Sequence, residues 1–216
     1  LFLGGALLGV LVFVLVFGVS TLDVTNDAFC RGGYIEKDIQ QHYAGWLFYR
    51  SSAPGWPLGV TQAINAPQGV SVAYTDSIPL LAVLCRPLAA ALGGTFQYFG
   101  WFTLVCFALQ GGFAALLCGL FAKGLAAPLA GSLVFAASPI LLERAFRHTS
   151  LGAQWLVLAA LYCYFVCRRQ SRFASRGLFV INILAVGIHP YFLPMTYAVT
   201  LALLLEYAVK QPGFLL

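Results

Sequence analysis

Residues 1–19 carry only apolar side chains and glycine, and comparable apolar runs recur at about 97–122, 125–142, 151–167, 177–194 and 195–209. About 20 apolar residues is the length that crosses the hydrocarbon core as a helix. Inside a bilayer, only helices and closed barrels satisfy their own backbone polar groups. The pattern therefore predicts an all-α fold, a polytopic transmembrane helical protein. Composition agrees: 61% of residues are hydrophobic and 9% are charged, with a mean hydropathy of +0.87. A soluble domain carries about 25% charged residues, and so few charges cannot cover a water-facing surface. A signal-peptide core would be shorter and end in a small-residue cleavage site, so residues 1–19 read as an uncleaved span. Leu1 already lies inside an apolar run and Leu216 closes just after another. The chain thus reads as the N-terminal part of a longer protein.

The net charge of +5 does not point to nucleic acid, because the basic residues sit at the ends of apolar runs. Charges so placed orient spans. Lys123, Arg168, Arg169, Arg172, Arg176 and Lys210 fall in alternate short loops, whereas the intervening loops hold only Arg144, Arg147 and the region around His189. The positive-inside rule puts the first group in the cytoplasm and the second outside. The segment 79–93 is apolar but short, and Arg86-Pro87 interrupts it. Proline removes a backbone donor and a mid-bilayer arginine is costly, so this segment reads as non-crossing. Residues 20–96 then form one long extracytoplasmic first loop carrying juxtamembrane helices near 38–50 and 79–93.

That loop holds most of the acids, namely Asp23, Asp27, Glu36, Asp38 and Asp76. On the predicted topology the unusual polar residues share one side. Asp38, Gln41 and His42 come from the first juxtamembrane helix, Asp76 precedes the second, Arg144, Arg147 and His148 lie between two spans, and His189 sits at a later break. Asp38 reads equally as a helix cap or a catalytic acid, and Asp76 reads first as a cap. Two arginines and a histidine on the sparsely basic face suit an anionic group such as phosphate. Gln110, Gln154 and Asn182 read as interhelical hydrogen-bond partners. No CxxC or HExxH spacing appears, so the motifs indicate no metal site. Of the six cysteines, only Cys30 and Cys85 fall in the polar region, where an oxidising compartment would allow them to pair. Chemically, a carboxylate takes the proton of an acceptor hydroxyl, while cations hold a leaving phosphate. The residues themselves suggest only an acid-plus-cation pocket at a membrane surface.

Several stretches carry a family resemblance. They are Leu22-Asp23-Val24-Thr25-Asn26, Asp38 to Arg50, Trp56-Pro57-Leu58-Gly59, Tyr74-Thr75-Asp76-Ser77-Ile78-Pro79-Leu80-Leu81 and Phe96-Gln97-Tyr98-Phe99-Gly100. Leu109-Gln110-Gly111, Arg147-His148 with Gln154-Trp155, and His189-Pro190-Tyr191 continue the series. The chain resembles the GT-C superfamily of integral membrane glycosyltransferases, which includes protein O-mannosyltransferases and lipid A aminoarabinose transferases. Within it, the chain is most similar to a bacterial membrane-protein family of unassigned function. The resemblance implies sugar transfer from a polyprenyl-phosphate-linked donor, with membrane lipid as the other partner, to an extracytoplasmic acceptor at the bacterial inner membrane. It implies that Asp38 is the catalytic base, with Asp76 second, and that Arg147 and His148 lie near the donor phosphate. That family shows glycine before this acid, whereas Lys37 stands here. The superfamily has metal-dependent and metal-independent members, so the resemblance admits a divalent metal. A lipid-linked glycan transporter or flippase would instead predict inverted repeats and polar residues at the bilayer midplane. A non-catalytic component of a polysaccharide system would leave the acid-and-arginine set without a purpose.

Overall fold

The computed structural model describes residues 1–32, 38–89, 91, 93–170 and 175–210. Glu36, Lys37 and Arg172 therefore lie outside the described residues. The described chain is predominantly helical, as predicted, and one short hairpin is the sheet among the described residues. Its elements are α1 (Phe2–Phe17), α2 (Ala28–Arg31), α3 (Ile39–Ser51), the paired strands β1 (Val60–Thr61) and β2 (Val70–Ser71), α4 (Pro79–Cys85), α5 (Phe99–Gly119), α6 (Ala126–Ala136), α7 (Pro139–Ala145), α8 (Trp155–Gln170), α9 (Ser175–Ile188) and α10 (Phe192–Lys210).

Three helical segments are long and apolar enough to cross a membrane: Phe99–Gly119, Thr149–Gln170 and Phe192–Lys210. The expected run at 125–142 is instead broken into α6 and α7, bent by 46°. The break has a local cause. Ser138 caps α7 by accepting a hydrogen bond from the Leu141 backbone N–H at 3.3 Å, and Pro139 opens the helix. Proline suits that first position because its missing donor has no helical partner there. As one unit, α6 and α7 pass the same length and hydropathy test. The runs at 1–19 and 177–194 shorten to 16 residues in α1 and 14 in α9. Both fall below the roughly 20 residues of a straight span. Helix α9 stops at Ile188 because Pro190, two residues on, cannot continue the backbone ladder. Helix α4 has 7 residues, about 10 Å of helix, which is too short to cross and agrees with the non-crossing expectation.

Helix α1 packs antiparallel against α5 through glycine. A side chain on Gly9 would run into the Phe107 carbonyl, and one on Gly111 into the Gly5 carbonyl. Small residues at such positions let two backbones approach closely. Helices α8 and α10 lie parallel. Their N-terminal ends are joined through His148 and His189, whose rings lie 5.7 Å apart. Their C-terminal ends are joined by Arg168 Nε to Glu206 at 2.9 Å and the Tyr164 hydroxyl to Glu206 at 2.9 Å. Arg169 donates to the Leu120 carbonyl at the C-terminal end of α5. The bundle thus has a histidine end and a basic end. The 19 residues of α10 separate them by about 28 Å.

Asn182 donates to Thr200 Oγ1 at 3.0 Å and accepts from Thr196 at 2.8 Å, so it ties α9 to α10 as expected for an intramembrane amide. All six cysteines are free, so Cys30 and Cys85 are not paired. Arg86 finds its partners within the protein. It donates to the Ser52 carbonyl at 2.7 Å and lies over the Tyr49 ring.

Candidate functional site at the histidine end

Helix α3 is the platform. Ile39, His42, Tyr43, Trp46 and Tyr49 are buried at helical spacing, and the Trp46 indole N–H donates to the Phe96 carbonyl at 3.0 Å. The loop carrying Asp76 lies directly on this helix. A side chain at Gly45 would strike Thr75 and Ser77. Ser77 Oγ donates to the His42 carbonyl at 2.7 Å, and Tyr98 OH donates to the Ser77 carbonyl. Asp76 and Ile78 both hold positive φ, at 53° and 52°. For a β-branched residue such as Ile78 that region is strained, and strain of this kind gathers at functional sites.

The chain has three histidines, and all three meet here. His148 Nδ1 lies 2.8 Å from Asp38 Oδ2, and its Nε2 lies 3.6 Å from Asp76 Oδ2. His189 Nε2 lies 3.0 Å from Asp76 Oδ1. The rings of His42 and His148 are 5.0 Å apart, edge to face. Residues from α3, the 75–78 loop, the turn before α8 and the break before α10 therefore form one cluster.

The hydrogen bonds assign the ring protons. The Tyr191 backbone N–H donates to His189 Nδ1 at 3.1 Å, so Nδ1 is an acceptor and Nε2 carries the proton given to Asp76. A carboxylate only accepts, so His148 donates from Nδ1 to Asp38. Its Nε2 is buried with no hydrogen-bond partner. His42 is fully buried, and neither ring nitrogen has a hydrogen-bond partner. Burial, and then the neighbouring His148, push the His42 pKa down to about 4. Burial pushes the Asp76 carboxyl up, but the His189 hydrogen bond and the surrounding imidazoles outweigh it and hold Asp76 below the ordinary carboxylate value. Asp38 is the exposed acid, with 54% of its side chain accessible against 21% for Asp76.

Several expected roles change. Asp38 precedes α3 but its side chain does not cap it; the carboxylate turns to His148 instead. Asp76 does not cap α4, whose N-cap position is Ile78. The roles expected of Arg147 and Gln41 at a substrate stand apart from these changes: Arg147 pairs with Glu143 one turn earlier, and Gln41 donates to the Tyr74 carbonyl at 3.5 Å. Arg144 lines a cavity of about 530 Å³ with Gln110, Ser138, Gln154, Leu151 and Phe192. Its carbonyl accepts from the His148 backbone N–H at 3.2 Å, while its guanidinium makes no hydrogen bond or ion pair among the described residues. The cavity adjoins the cluster: the Phe192 ring lies 6.5 Å from that of His189, and the Leu151 backbone N–H donates to the His148 carbonyl. Gly45, Ser77 and Tyr98 form the supporting shell; they lie within the stretches that carry the resemblance, but sequence reasoning gives none of them a role at the site.

Residues 6–215 match the model of a family described as a domain of unknown function, DUF6311, and the chain belongs to that family. No curated protein and no solved structure matches it.

Proposed function

We propose that this DUF6311 member is a multi-pass bacterial inner-membrane glycosyltransferase of the GT-C type, moving a sugar from a polyprenyl-phosphate-linked donor to an extracytoplasmic acceptor. The observation that carries the reading is the convergence of Asp38, Asp76, His148 and His189 beside an apolar cavity with an unpaired arginine. Apolar walls suit a lipid tail, and Arg144 suits the phosphate at its head. The basic end of the bundle, with Arg168, Arg169 and Lys210, is the cytoplasmic one on the positive-inside rule. That puts the histidine end and the 20–96 loop outside.

In the proposed reaction the acceptor hydroxyl oxygen attacks the anomeric carbon as the bond from that carbon to the phosphate oxygen breaks. The acceptor proton passes to Asp38, and polyprenyl phosphate leaves. Asp38 is favoured over Asp76 as base because it is the more exposed, while both oxygens of Asp76 face histidines. His148 orients Asp38 through their hydrogen bond.

The test is release of polyprenyl phosphate from a panel of radiolabelled polyprenyl-phosphate hexoses and pentoses by the full-length protein in liposomes containing an envelope-glycan extract as acceptor. Wild type consumes one donor, and Asp38→Asn reduces turnover at least 1,000-fold, about 4 kcal/mol of barrier, with unchanged elution from a sizing column. Full activity in Asp38→Asn, or no donor consumed by wild type, would sink the reading.

A further inference from the structure

His148 Nε2 and Asp76 Oδ2 face each other across 3.6 Å with no hydrogen bond between them. With Nδ1 donating to Asp38, an imidazole that carries no second proton presents a lone pair at Nε2. Asp76 Oδ2 presents another, since its sister oxygen takes the His189 proton. Two lone pairs aimed at one another repel unless a cation lies between them. The third wall is His42, fully buried, with neither nitrogen hydrogen-bonded. Leaving a buried polar group unpaired costs about 1–3 kcal/mol. Donor atoms of three side chains that converge on one point without bonding one another suit a cation held between them.

We propose that His42, Asp76 and His148 bind a divalent transition-metal ion of the zinc type, with Asp38 and His189 as the outer carboxylate and imidazole that orient two of the ligands. One donor atom from each of the three residues lies within 4.8 Å of the other two. Around zinc, ligand distances of about 2.0–2.2 Å make the tetrahedral edge about 3.4 Å. The His148–Asp76 separation of 3.6 Å already matches that edge, and side-chain rotations that move the donors by about 1.4 Å or less close the remaining separations. The donor set of two imidazoles and one carboxylate suits zinc and its first-row neighbours rather than magnesium or calcium, which favour oxygen. The outer shell is already assembled: a ligating histidine gives its other ring N–H to a carboxylate, and a ligating carboxylate is itself hydrogen-bonded. Here Asp38 serves His148 and His189 serves Asp76. Three protein ligands leave one position of a tetrahedral ion open.

This site stands without the transferase reading, and metal content is measured without any sugar donor. The full-length protein, purified in detergent without chelator and dialysed against zinc, manganese or cobalt, is analysed by inductively coupled plasma mass spectrometry. The expected result is about one equivalent of one metal per chain, falling below a tenth in His42→Gln and Asp76→Asn. Asp38→Asn keeps the stoichiometry but binds about 10- to 100-fold more weakly. The cobalt-loaded wild type shows visible absorption at four-coordinate intensity, which needs no variant and so holds even if a substitution prevents folding. Wild type that takes up no stoichiometric metal overturns the proposal; the buried pair is then held by a proton on His148. Uptake equal in wild type and both ligand variants also overturns it, as adventitious surface binding.

Discussion

His42 is the most informative single residue because its burial and its chemistry disagree. Its imidazole is fully buried without a hydrogen-bond partner, and the groups facing it are His148, Asp76, Asp38 and His189. Its pKa stands at about 4 in the fold, against about 6.5 in an unfolded chain. The depressed value fixes the sign. Above pH 6.5 the ring is neutral in both states and the stability is fully present; as pH falls towards 4 the unfolded chain takes up a proton that the fold resists. A gap of about 2.5 in pKa corresponds to roughly 3 kcal/mol. Chelator-treated protein in detergent should therefore lose melting temperature steadily between pH 6.5 and 4, and His42→Gln should flatten that limb. An unchanged slope in the variant would show that another group controls acid unfolding. In the sequence, Asp38, His42, Asp76, His148 and His189 stand out because polar side chains are rare in so apolar a chain. Their grouping does not, because the candidate ligands are 34 and 72 positions apart and no short motif spans that distance.

At the scale of elements, the site depends on how α3 meets the 75–78 loop. Gly45 leaves no room for a side chain: a methyl there would strike Thr75 and Ser77, which bond each other at 2.8 Å and, through Ser77 Oγ, the His42 carbonyl. Gly45→Ala forces that loop away from the helix. Overpacking of this kind costs about 1–3 kcal/mol, visible as a lower melting temperature, and it displaces Asp76 from His148, so transfer should fall more than stability alone explains. Ala44→Gly, on the neighbouring half-buried position, should leave transfer nearly intact and serves as the control. Loss of stability without loss of transfer would show that the loop does not position the acid. Helix existence was legible in the sequence, as was the break at His189-Pro190. Helix length was not, since hydropathy continues through the Ser138 cap and across short helices such as α1. Both capping readings failed because histidines distant in sequence take the carboxylates: His148, 110 residues away, holds Asp38, and His189 holds Asp76.

At the scale of the whole molecule, the bundle places an apolar cavity next to a polar cluster, and within the proposed function that pairing argues for a lipid-linked donor over a water-soluble one. The cavity of about 530 Å³ is walled by Val134 and Phe135 of α6, Val157 and Leu158 of α8, and Phe192 and Met195 of α10, with Arg144 among its polar groups. If the cavity holds the first isoprene units of the donor, narrowing it should penalise long donors selectively. Val134 is 70% exposed, so Val134→Trp adds bulk at the rim without overfilling the core. KM for a long-chain polyprenyl-phosphate sugar should rise about tenfold, equivalent to roughly 1.4 kcal/mol, with kcat little changed, because the lost contacts are made equally in the ground and transition states. KM for a ten-carbon donor that ends before the rim should stay within about twofold. Arg144→Ala should raise KM for both lengths alike, because the phosphate is common to them. Equal penalties for long and short donors in Val134→Trp would place the lipid tail elsewhere on the bundle, and the role of Arg144 at the phosphate would then have to stand on its own substitution.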